Sequence, residues 1–443
     1  MNIAFVLPEF PTERECGGLG VYHDNISRLL ANAGHAVTVF VKSERTERVP
    51  YDSGITVERV FVNLGNVNPE IPGSFMREWS RVLNQTVREY QGGAHGFDLI
   101  QYSNLQAPGF DRLEIPTVVR ISSDLPLLRG ADQEVFHPDA QYPPFKIADF
   151  LEEIALLRAD AAYAPSRLLR DIISKRTGCD IQVLESPFYP REALPDHDRV
   201  FQERLLGKPY ILTFGTLKIL KGAKVIGDSI HKVLAECPDL YWVFAGAEFP
   251  WKDAGGHPVQ PSEYIREGAG EFSDRVIFLG KLPSQELYSV IKNAAFCVMP
   301  SRIDNLPNTC IEAMAFGKIV IGTMGASFEQ LIEDGENGFL IERENCEMLI
   351  SKIKDVHTLP VKAKLRIGEA ARAKIEGMQP AGILDKLLAF YNATIESFPK
   401  KKTEKTKAYY KQLVSKHNRL ILDTQIDGAE KYLIEIPDDK VYQ

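Results

Sequence analysis

The chain has 443 residues and a mass of 49.7 kDa, a length that predicts two or three domains. Hydrophobic residues make up 44% of the sequence and charged residues 25%, which is typical of a globular protein and excludes a largely disordered or fibrous chain. The 52 basic and 60 acidic side chains give a net charge of −8. That balance disfavours a surface built to bind nucleic acid, so we expect no nucleic-acid partner.

The sequence favours a cytosolic protein. Its longest apolar runs fall well short of the roughly 18–20 residues of a membrane-spanning helix, and the apolar start at residues 3–7 lacks the pattern of a secretory signal. The cysteines form neither a C-x-x-C pair nor a cluster with histidines, which is typical of a reducing compartment. They are Cys16, Cys179, Cys237, Cys297, Cys310 and Cys346.

Short apolar runs alternate with helical stretches along most of the chain. Runs that are apolar at nearly every position suit strands buried on both faces of a parallel sheet, and their alternation with helices predicts doubly wound α/β sheets. In the first half we predict strands at residues 3–7, 36–41, 57–62, 99–102, 117–121, 161–164 and 181–184. In the second half we predict strands at residues 210–214, 241–245, 276–279, 295–299, 319–322 and 338–341.

The strand–helix pattern breaks at residues 186–209, where four prolines punctuate a polar stretch that predicts a linker with a hinge near residue 195. We therefore predict an N-terminal domain over residues 1–198, a second domain over 199–380 and a C-terminal segment over 381–443. Two such domains leave a cleft, and open parallel sheets bind ligands beyond the carboxyl ends of their strands.

The C-terminal segment is strongly basic. After a predicted helix at residues 383–398, residues 399–420 hold eight basic side chains against one acidic one, Glu404. This surplus suits attraction to an anionic membrane surface or polymer, and a solvated tail helix is the alternative. The predicted helix at residues 76–91 is a second candidate membrane surface, although a helix packed on its own sheet has the same pattern.

Two glycine-containing turns follow predicted strands. The first, Gly17-Gly18-Leu19-Gly20, opens a predicted helix, where glycines let a ligand approach the backbone and the helix end offers unpaired N–H groups. Tight packing is the alternative, because the turn matches neither G-x-G-x-x-G nor a P-loop. The second turn spans residues 215–222 and carries Lys221, whose charge would neutralise a diphosphate, with an ordinary surface lysine as the alternative.

The most informative stretch is residues 300–317, which follows a predicted buried strand. Asp304 lies in its loop and Glu312 lies about one turn inside the following helix, with seven residues between the two acids. Backbone amides near Asn308 and Thr309 would form an anion site. Two carboxylates beside such a site suit a ligand that has hydroxyl groups and phosphates. Alternatively, Asp304 begins a turn and Glu312 is a partly exposed helix residue.

These stretches resemble the retaining glycosyltransferases of family 4, which have the two-Rossmann fold called GT-B. That family carries an E-x7-E motif, in which Asp304 here takes the first place and Glu312 the second. The likeness extends to the Gly-His-x-Val-Thr-Val-Phe strand at residues 34–40, to the Ala-Asp…Pro-Ser segment at 159–166, to residues 282–286, and to the Asp-Gly-x-Asn-Gly-Phe-Leu run at 334–340. It covers the chain to about residue 395.

The resemblance implies a retaining transfer of a sugar from a nucleotide-diphosphate sugar to a saccharide or lipid-linked acceptor in cell-surface polysaccharide or glycolipid synthesis. It implies that Glu312 binds the ribose of the donor, that Asp304 holds hydroxyls of the transferred sugar, and that Lys221 with the amides of Asn308 and Thr309 holds the diphosphate. Asp304, Glu312 and Lys221 are therefore the predicted catalytic residues. The protein would use no cofactor. No D-x-D pair lies where a nucleotide diphosphate would need it, so we also expect no metal.

Further roles follow from the same resemblance. The N-terminal domain would lie on the acceptor side and the second domain would bind the nucleotide sugar. The predicted helix at residues 383–398 would return to the N-terminal domain. Gly17 and Gly18 would let the first domain close on the phosphates and the acceptor. Thr216 stands where the family often has an arginine, and Lys218 is the candidate to replace that charge. Ser122 stands where the family often has a histidine that contacts the sugar. Lys281 and Leu282 stand where the family contacts the base of the nucleotide. The remaining predicted substrate contacts are Asp124, Asn305 and Leu306.

Two other functions fit the same architecture. One is a nucleotide-sugar epimerase or a soluble disaccharide synthase, and the other is a non-catalytic carbohydrate-binding relative. The expected partners are a nucleotide-sugar donor and a saccharide or lipid-linked acceptor. The basic tail adds peripheral contact with the inner face of a membrane as a hypothesis.

Overall fold

A computed structural model of the chain describes residues 1–14, 16–65, 67–91, 96–132, 146–188, 195–253 and 255–435. The described residues fall into two compact units. The first is drawn from residues 1–127, 142–187 and 380–443, and the second from residues 128–141 and 188–379. Residues 189–194 of the predicted linker and 436–443 of the predicted tail lie outside the described residues.

The first unit is built on an eight-stranded sheet with the order β3-β4-β2-β1-β5-β6-β7-β8. Neighbouring strands are parallel except for the antiparallel pair β3 and β4. The strands are β1 (Asn2–Leu7), β2 (Ala36–Ser43), β3 (Glu47–Asp52), β4 (Ile55–Phe61), β5 (Leu99–Ser103), β6 (Thr117–Arg120), β7 (Ala161–Ala164) and β8 (Ile181–Val183).

Burial explains which of these strands the sequence predicts. Residues 3–7 of β1 are fully buried, as a strand covered on both faces requires. The edge strand β3, by contrast, is charged and half-exposed and contains Pro50, so it lacks the apolar signature and was not predicted.

Five α-helices lie among the described residues up to residue 188. The helix α2 buries Trp79, Leu83 and Val87 at a four-residue spacing, so its apolar face packs inside its own unit, as the alternative interpretation of residues 76–91 proposed. The helices are α1 (Gly18–Asn32), α2 (Ser74–Gln91), α3 (Leu125–Asp132), α4 (Ile147–Arg158) and α5 (Arg167–Thr177).

The second unit is built on a six-stranded sheet of parallel pairs with the order β13-β10-β9-β14-β15-β16, and β11 and β12 form a separate antiparallel hairpin. Its strands are β9 (Tyr210–Phe214), β10 (Tyr241–Ala245), β11 (Trp251–Lys252), β12 (Pro258–Val259), β13 (Val276–Phe278), β14 (Phe296–Met299), β15 (Val320–Thr323) and β16 (Phe339–Ile341). Its helices are α6 (Arg199–Arg204), α7 (Ala223–Glu236), α8 (Pro261–Ala269), α9 (Ser284–Asn293), α10 (Asn308–Ala315), α11 (Cys346–Thr358) and α12 (Val361–Glu376).

The predicted class of two doubly wound parallel sheets is confirmed. In each sheet the strand order reverses at one point, beside β1 in the first unit and beside β9 in the second. Ligands of open α/β sheets bind beyond the carboxyl ends of the strands at such a reversal. The turn at residues 215–222 follows β9, and the loop that carries Asp304 follows its neighbour β14, so both candidate loops leave the second sheet at this point.

Two C-terminal helices, α13 (Pro380–Glu396) and α14 (Glu404–Leu422), belong to the first unit. The helix α13 adds Leu387 and Tyr391 to the core around β1. The helix α14 buries Tyr410, Leu413 and Val414 in a cluster with α4. The interpretation of the tail as a solvated helix is therefore wrong for the face of α14 that carries these three residues. In the sequence, the surrounding lysines obscure this apolar face. Among the described helices, none combines the length and the hydrophobicity needed to cross a bilayer.

Candidate active site

The turn after β9 is fixed by backbone hydrogen bonds. Gly215, which has a φ of 102°, donates its N–H to the Ala245 carbonyl at 2.9 Å, and the Leu217 N–H donates to the Ala247 carbonyl at 2.8 Å. The turn ends in a short 3-10 helix, Ile219–Lys221, in which the Lys221 N–H donates to the Lys218 carbonyl at 2.9 Å. The side chain of Lys221 therefore extends from a backbone segment that these hydrogen bonds hold in place.

Gly222 presses this turn against the loop that follows β14. Its φ is 85°, and a Cβ atom at this position would lie 2.3 Å from the Pro300 carbonyl oxygen, which no side chain tolerates. Beside this contact, the Arg302 N–H donates to the Leu220 carbonyl at 2.9 Å. The two loops therefore meet backbone to backbone, which sets the separation of the side chains that they carry.

Lys221 and Asp304 meet across these loops. The Lys221 Nζ donates to Asp304 Oδ2 in an ion pair, with the lysine side chain 33% exposed and the aspartate 12% exposed. The other carboxylate oxygen of Asp304 accepts from the Asn305 N–H at 2.9 Å, and its carbonyl accepts from the Ser327 hydroxyl at 2.9 Å. Two of the three predicted catalytic side chains are thus brought together, and the acid is held from three directions.

A cavity of about 250 Å³ opens beside this ion pair. It is lined by the turn after β9, by the loop after β14 and by the first residues of α10. Its lining includes six predicted site residues, Thr216, Lys221, Asp304, Leu306, Asn308 and Thr309. The helix α10 begins at Asn308, and the amides of a helix's first turn have no acceptor within the helix. The cavity therefore joins a lysine, a helix N-terminus and a carboxylate, which suits an anionic group attached to a polyol.

Other predicted residues of the second unit lie around this cavity or apart from it. Glu312 is half-buried in α10 and is not among the described residues that line the cavity. Lys218 lines a different cavity. Lys281 is exposed in the loop before α9, whereas Leu282 packs on the core of the second unit. The predicted contacts of Glu312 with the ribose and of Lys281 with the base stay predictions.

A buried arginine supports the same loop and was missed in the sequence. Arg302 is only 2% exposed, and its guanidinium contacts the Glu344 carboxylate at 2.5 Å. A charge so deeply buried needs a partner, so this pair anchors the loop two residues before Asp304. The one available signal was an arginine directly after an apolar strand.

In the first unit, the glycine turn after β1 binds a carboxylate of the same chain. Oε1 of Glu9 accepts from the Gly17 N–H at 3.1 Å and from the Gly20 N–H at 2.9 Å, at the N-terminus of α1. The Gly17 amide, which the sequence offered to a ligand, therefore binds an internal anion together with the Gly20 amide. Only the presence of an acid in the preceding loop hinted at this arrangement. The predicted role of Gly18 stays a prediction.

Asp124 forms a buried salt bridge with Arg176. It is 6% exposed, and its oxygens accept from Arg176 at 2.6 and 3.2 Å and from the Leu127 N–H at 3.1 Å. Arg176 also donates to Glu153 at 2.7 Å, and burial raises the pKa of Glu153. This geometry gives Asp124 a structural role, and its predicted contact with a substrate stays a prediction.

Ser122 lies two residues after the end of β6, beside a second arginine that was not singled out in the sequence. Its hydroxyl accepts from Arg120 Nη1 at 2.7 Å, and its N–H donates to Asn104 Oδ1 at 2.8 Å. The Arg120 guanidinium lies 3.5 Å from the centre of the Tyr22 ring, a cation–π contact. Arg120 thereby orients Ser122, whose predicted contact with a sugar stays a prediction.

Two family models match the chain in sequence. The model described as Glycosyltransferase Family 4 matches residues 16–186, and the model described as Glycosyl transferases group 1 matches residues 196–374. These matches define the protein as a glycosyltransferase that uses nucleotide sugars. The chain belongs to the GT-B glycosyltransferases of group 1, of the family 4 type, as the sequence predicted, and the retaining mechanism of that family fits it.

Individual relatives agree. A D-inositol 3-phosphate glycosyltransferase of Acidothermus cellulolyticus is 23% identical over 384 residues, which cover 82% of this chain and 83% of the relative. The lipopolysaccharide core biosynthesis mannosyltransferase LpcC of Rhizobium leguminosarum is 25% identical over 166 residues, which cover 38% of this chain and 45% of the relative.

Solved structures show the same fold at lower sequence identity. A sucrose-phosphate synthase of Thermosynechococcus elongatus has a TM-score of 0.67 and 17% identity, covering 90% of this chain and 100% of that one. The Anabaena HepE protein, solved with UDP and glucose, has a TM-score of 0.64 and 16% identity, covering 89% and 100%.

Proposed function

We propose that the cavity beside Lys221 and Asp304 holds the diphosphate and the sugar of the donor, and that the sugar passes to a saccharide or lipid-linked acceptor. The observation that carries this proposal is the pairing of Lys221 with Asp304 at the first turn of α10. One cavity is lined by the Lys221 ammonium, which can pair with phosphate, and by the Asp304 carboxylate, which can accept hydrogen bonds from hydroxyl groups. The first residues of α10 line the same cavity and add the amides of a helix N-terminus.

The chemistry of these groups fits the transfer step. As the sugar–phosphate bond breaks, negative charge develops on the departing diphosphate, where the Lys221 ammonium and the amides of Asn308 and Thr309 stabilise it. Asp304 accepts hydrogen bonds from hydroxyls of the sugar and orients the ring. Glu312 is assigned to the ribose of the donor. The sugar carries oxocarbenium-like charge in such a step, so a carboxylate nearby also lowers its energy.

The names of the relatives support an acceptor that carries hydroxyl groups, either a saccharide or a cyclic polyol. A D-inositol 3-phosphate glycosyltransferase and a lipopolysaccharide core mannosyltransferase are among them, and solved structures of the same fold hold UDP with glucose or UDP-2-fluoro glucose. UDP-sugars are therefore the first donors to test. Polysaccharide or glycolipid synthesis at the cytoplasmic side of a membrane is the proposed setting.

A surface of α14 supports peripheral membrane contact. Its solvent-facing side carries Lys411, Lys416 and Arg419, and it ends at Leu420 and Leu422, which are 38% and 52% exposed. Basic side chains beside exposed apolar ones suit the interface of an anionic bilayer. Because the other face of α14 is part of the core, the test is charge reversal rather than truncation. Lys411→Glu with Arg419→Glu should reduce co-sedimentation with phosphatidylserine vesicles, and equal pelleting would contradict this contact.

The function itself is tested with a panel of UDP- and GDP-sugars, with and without saccharide and lipid-linked acceptors. Nucleotide release that depends on an acceptor, with retained anomeric configuration in the product, supports the proposal. An isomerised nucleotide sugar or a free disaccharide would favour the epimerase or disaccharide synthase. Donor binding without turnover in any combination would favour a carbohydrate-binding relative.

A further inference from the structure

A second cavity in the second unit lies on the other side of the turn after β9. Its volume is about 640 Å³, against about 250 Å³ for the donor cavity, and it falls in the range of roughly 300–1,000 Å³ that small-molecule sites occupy. It lies between the start of α7, the first residue pair of the hairpin β11–β12 and the helix α8. No residue assigned to the donor contributes to its described lining except Lys218.

The walls of this cavity combine aromatic rings with positive charge. Phe249, Trp251 and Tyr264 line it, and the Trp251 and Tyr264 rings meet edge to face with centroids 5.4 Å apart. Three lysines, Lys218, Lys224 and Lys252, line it against one acid, Asp253. A local surplus of positive charge in a chain with a net charge of −8 favours an anionic ligand.

The aromatic side chains are held in place. The Tyr264 hydroxyl donates to Asp228 Oδ1, which fixes the ring over α7. The strand segment that leads to Trp251 is tied to the turn after β9, because the Phe249 N–H donates to the Leu217 carbonyl at 2.9 Å. This same turn carries Lys221, so the second cavity and the donor cavity share one rigid element.

From this arrangement we infer that the second cavity binds an anionic saccharide, as a remote subsite for the acceptor chain; the inference rests on the proposed function. The perpendicular rings offer separate apolar faces for successive sugar units rather than a parallel slot for a base. The exposed Lys252 would pair with carboxylate or phosphate groups along the saccharide chain, and Lys218 and Lys224 add positive charge to the same walls. We name this surface, formed by Phe249, Trp251, Tyr264 and the three lysines, the basic aromatic groove.

Tryptophan fluorescence isolates the groove. Of the three tryptophans, Trp79 and Trp242 are buried, at 3% and 0% exposed, whereas Trp251 is partly exposed. The full chain is titrated with a glucuronate-containing tetrasaccharide and with its carboxyl-reduced, neutral counterpart. We expect a saturable change with the anionic sugar and a weaker response to the neutral one. In Trp251→Phe the fluorescence change should be lost because the reporting indole is gone. Calorimetry should show that this variant still binds the anionic tetrasaccharide.

Two variants test the contacts. Trp251→Ala should weaken binding about fivefold or more through loss of the ring face, and Lys252→Ala about two- to fivefold through loss of one exposed charge. The matched control is Lys362→Ala, an exposed lysine on α12 of the same unit. Both groove variants should leave acceptor-independent hydrolysis of the donor unchanged. Lys221→Ala should slow that hydrolysis by about 100- to 1,000-fold and still bind the tetrasaccharide.

The outcomes separate the two proposals. Equal affinity of wild type and Trp251→Ala for the anionic tetrasaccharide would overturn the groove assignment while leaving the donor site intact. Equal affinity for the anionic and neutral sugars would overturn its charge selectivity. Tighter binding of a single-stranded oligonucleotide than of the tetrasaccharide would assign the groove to a different class of ligand and also overturn the inference.

Discussion

The Nζ of Lys221 and the carboxylate of Asp304 form one ion pair, although 83 positions separate them in the sequence. Each residue follows a different strand of the second sheet, β9 and β14, and these strands are parallel neighbours. The carboxyl ends of parallel neighbours lie side by side, so the fold alone brings the base and the acid together. In the proposed function, the diphosphate of the donor would replace Asp304 as the charge partner of Lys221.

Removing the side chain of Lys221 should therefore lower the reaction rate strongly and destabilise the fold only slightly. We expect Lys221→Ala to lower kcat by about 100- to 1,000-fold, because one preorganised electrostatic donor contributes roughly 3–4 kcal/mol to the transition state. Steady-state kinetics with a saturating acceptor measures the effect. The matched control is Lys232→Ala, an exposed lysine of the same unit that pairs with Glu347. Wild-type turnover of Lys221→Ala with intact circular dichroism would contradict the assignment.

Metal ions should be dispensable, because protein groups supply the positive charge that the diphosphate needs. In the proposed site, Lys221 and the first turn of α10 would neutralise the diphosphate, and the sequence has no D-x-D pair at the place where a metal would bridge the phosphates. We expect turnover to be unchanged after dialysis against EDTA, measured by nucleotide release. A loss of activity that Mg²⁺ or Mn²⁺ restores would show that the charge needs a cation.

The close approach at Gly222 predicts a large cost for a single methyl group. Gly222→Ala places a Cβ 2.3 Å from the Pro300 carbonyl oxygen at a φ of 85°. The left-handed conformation costs about 1–2 kcal/mol for a residue other than glycine, and overpacking adds about 1–3 kcal/mol. Gly207→Ala is the control, because its φ is 78° but nothing lies within 4 Å of the added atom. Equal denaturant midpoints of the two variants would show that the loops move apart freely.

Local pattern sufficed for the sheets and for part of the site. Buried parallel strands are apolar throughout, so β1 and β9 were predictable, and the loops after β9 and β14 were located by counting from their strands. The edge strand β3 was not predictable, because a half-exposed strand contains charged residues and lacks a continuous apolar run. The partners of Glu9 and Asp124 were not predictable either, because a carboxylate's partner depends on which distant backbone or arginine the fold brings near. The packing of α14 was hidden by its lysines.

Glu9 is the clearest case of such a long-range contact, and it predicts a measurable role. Its carboxylate accepts from the Gly17 and Gly20 amides at the positive end of α1. Loss of a capping acceptor and of a charge at a helix N-terminus costs about 1 kcal/mol, so Glu9→Ala should lower the free energy of unfolding by that amount. Glu114→Ala, at an exposed position of the same unit, should have little effect.

A second readout separates this role from ordinary loop damage. Once Glu9 is removed, the amides are open to an external anion, so inorganic phosphate should raise the midpoint of thermal unfolding of Glu9→Ala more than that of the wild type. Identical phosphate responses would mean that the carboxylate does not fill an anion site.

Lys402, just before α14, predicts a pH-dependent stability. Its Nζ donates to the Ala159 carbonyl, and burial lowers the pKa of Lys402 to about 8 from 10.5. A base whose folded pKa is lowered binds fewer protons in the native state than in the unfolded chain between those two values. The free energy of unfolding therefore rises with pH in that window and falls again as pH drops toward 8.

Lys402→Met removes this titration, so the comparison with the wild type isolates it from other groups. Between pH 7.5 and 9.5, wild type should gain about 1–2 kcal/mol relative to Lys402→Met, at roughly 1.36 kcal/mol per pKa unit. Urea unfolding at a series of pH values measures the difference, and Lys401→Met, at the exposed neighbouring position, should parallel the wild type. A constant gap between wild type and Lys402→Met across this range would mean that the lysine stays fully charged in the folded protein, and that the tail is tied to the first unit by its apolar face alone.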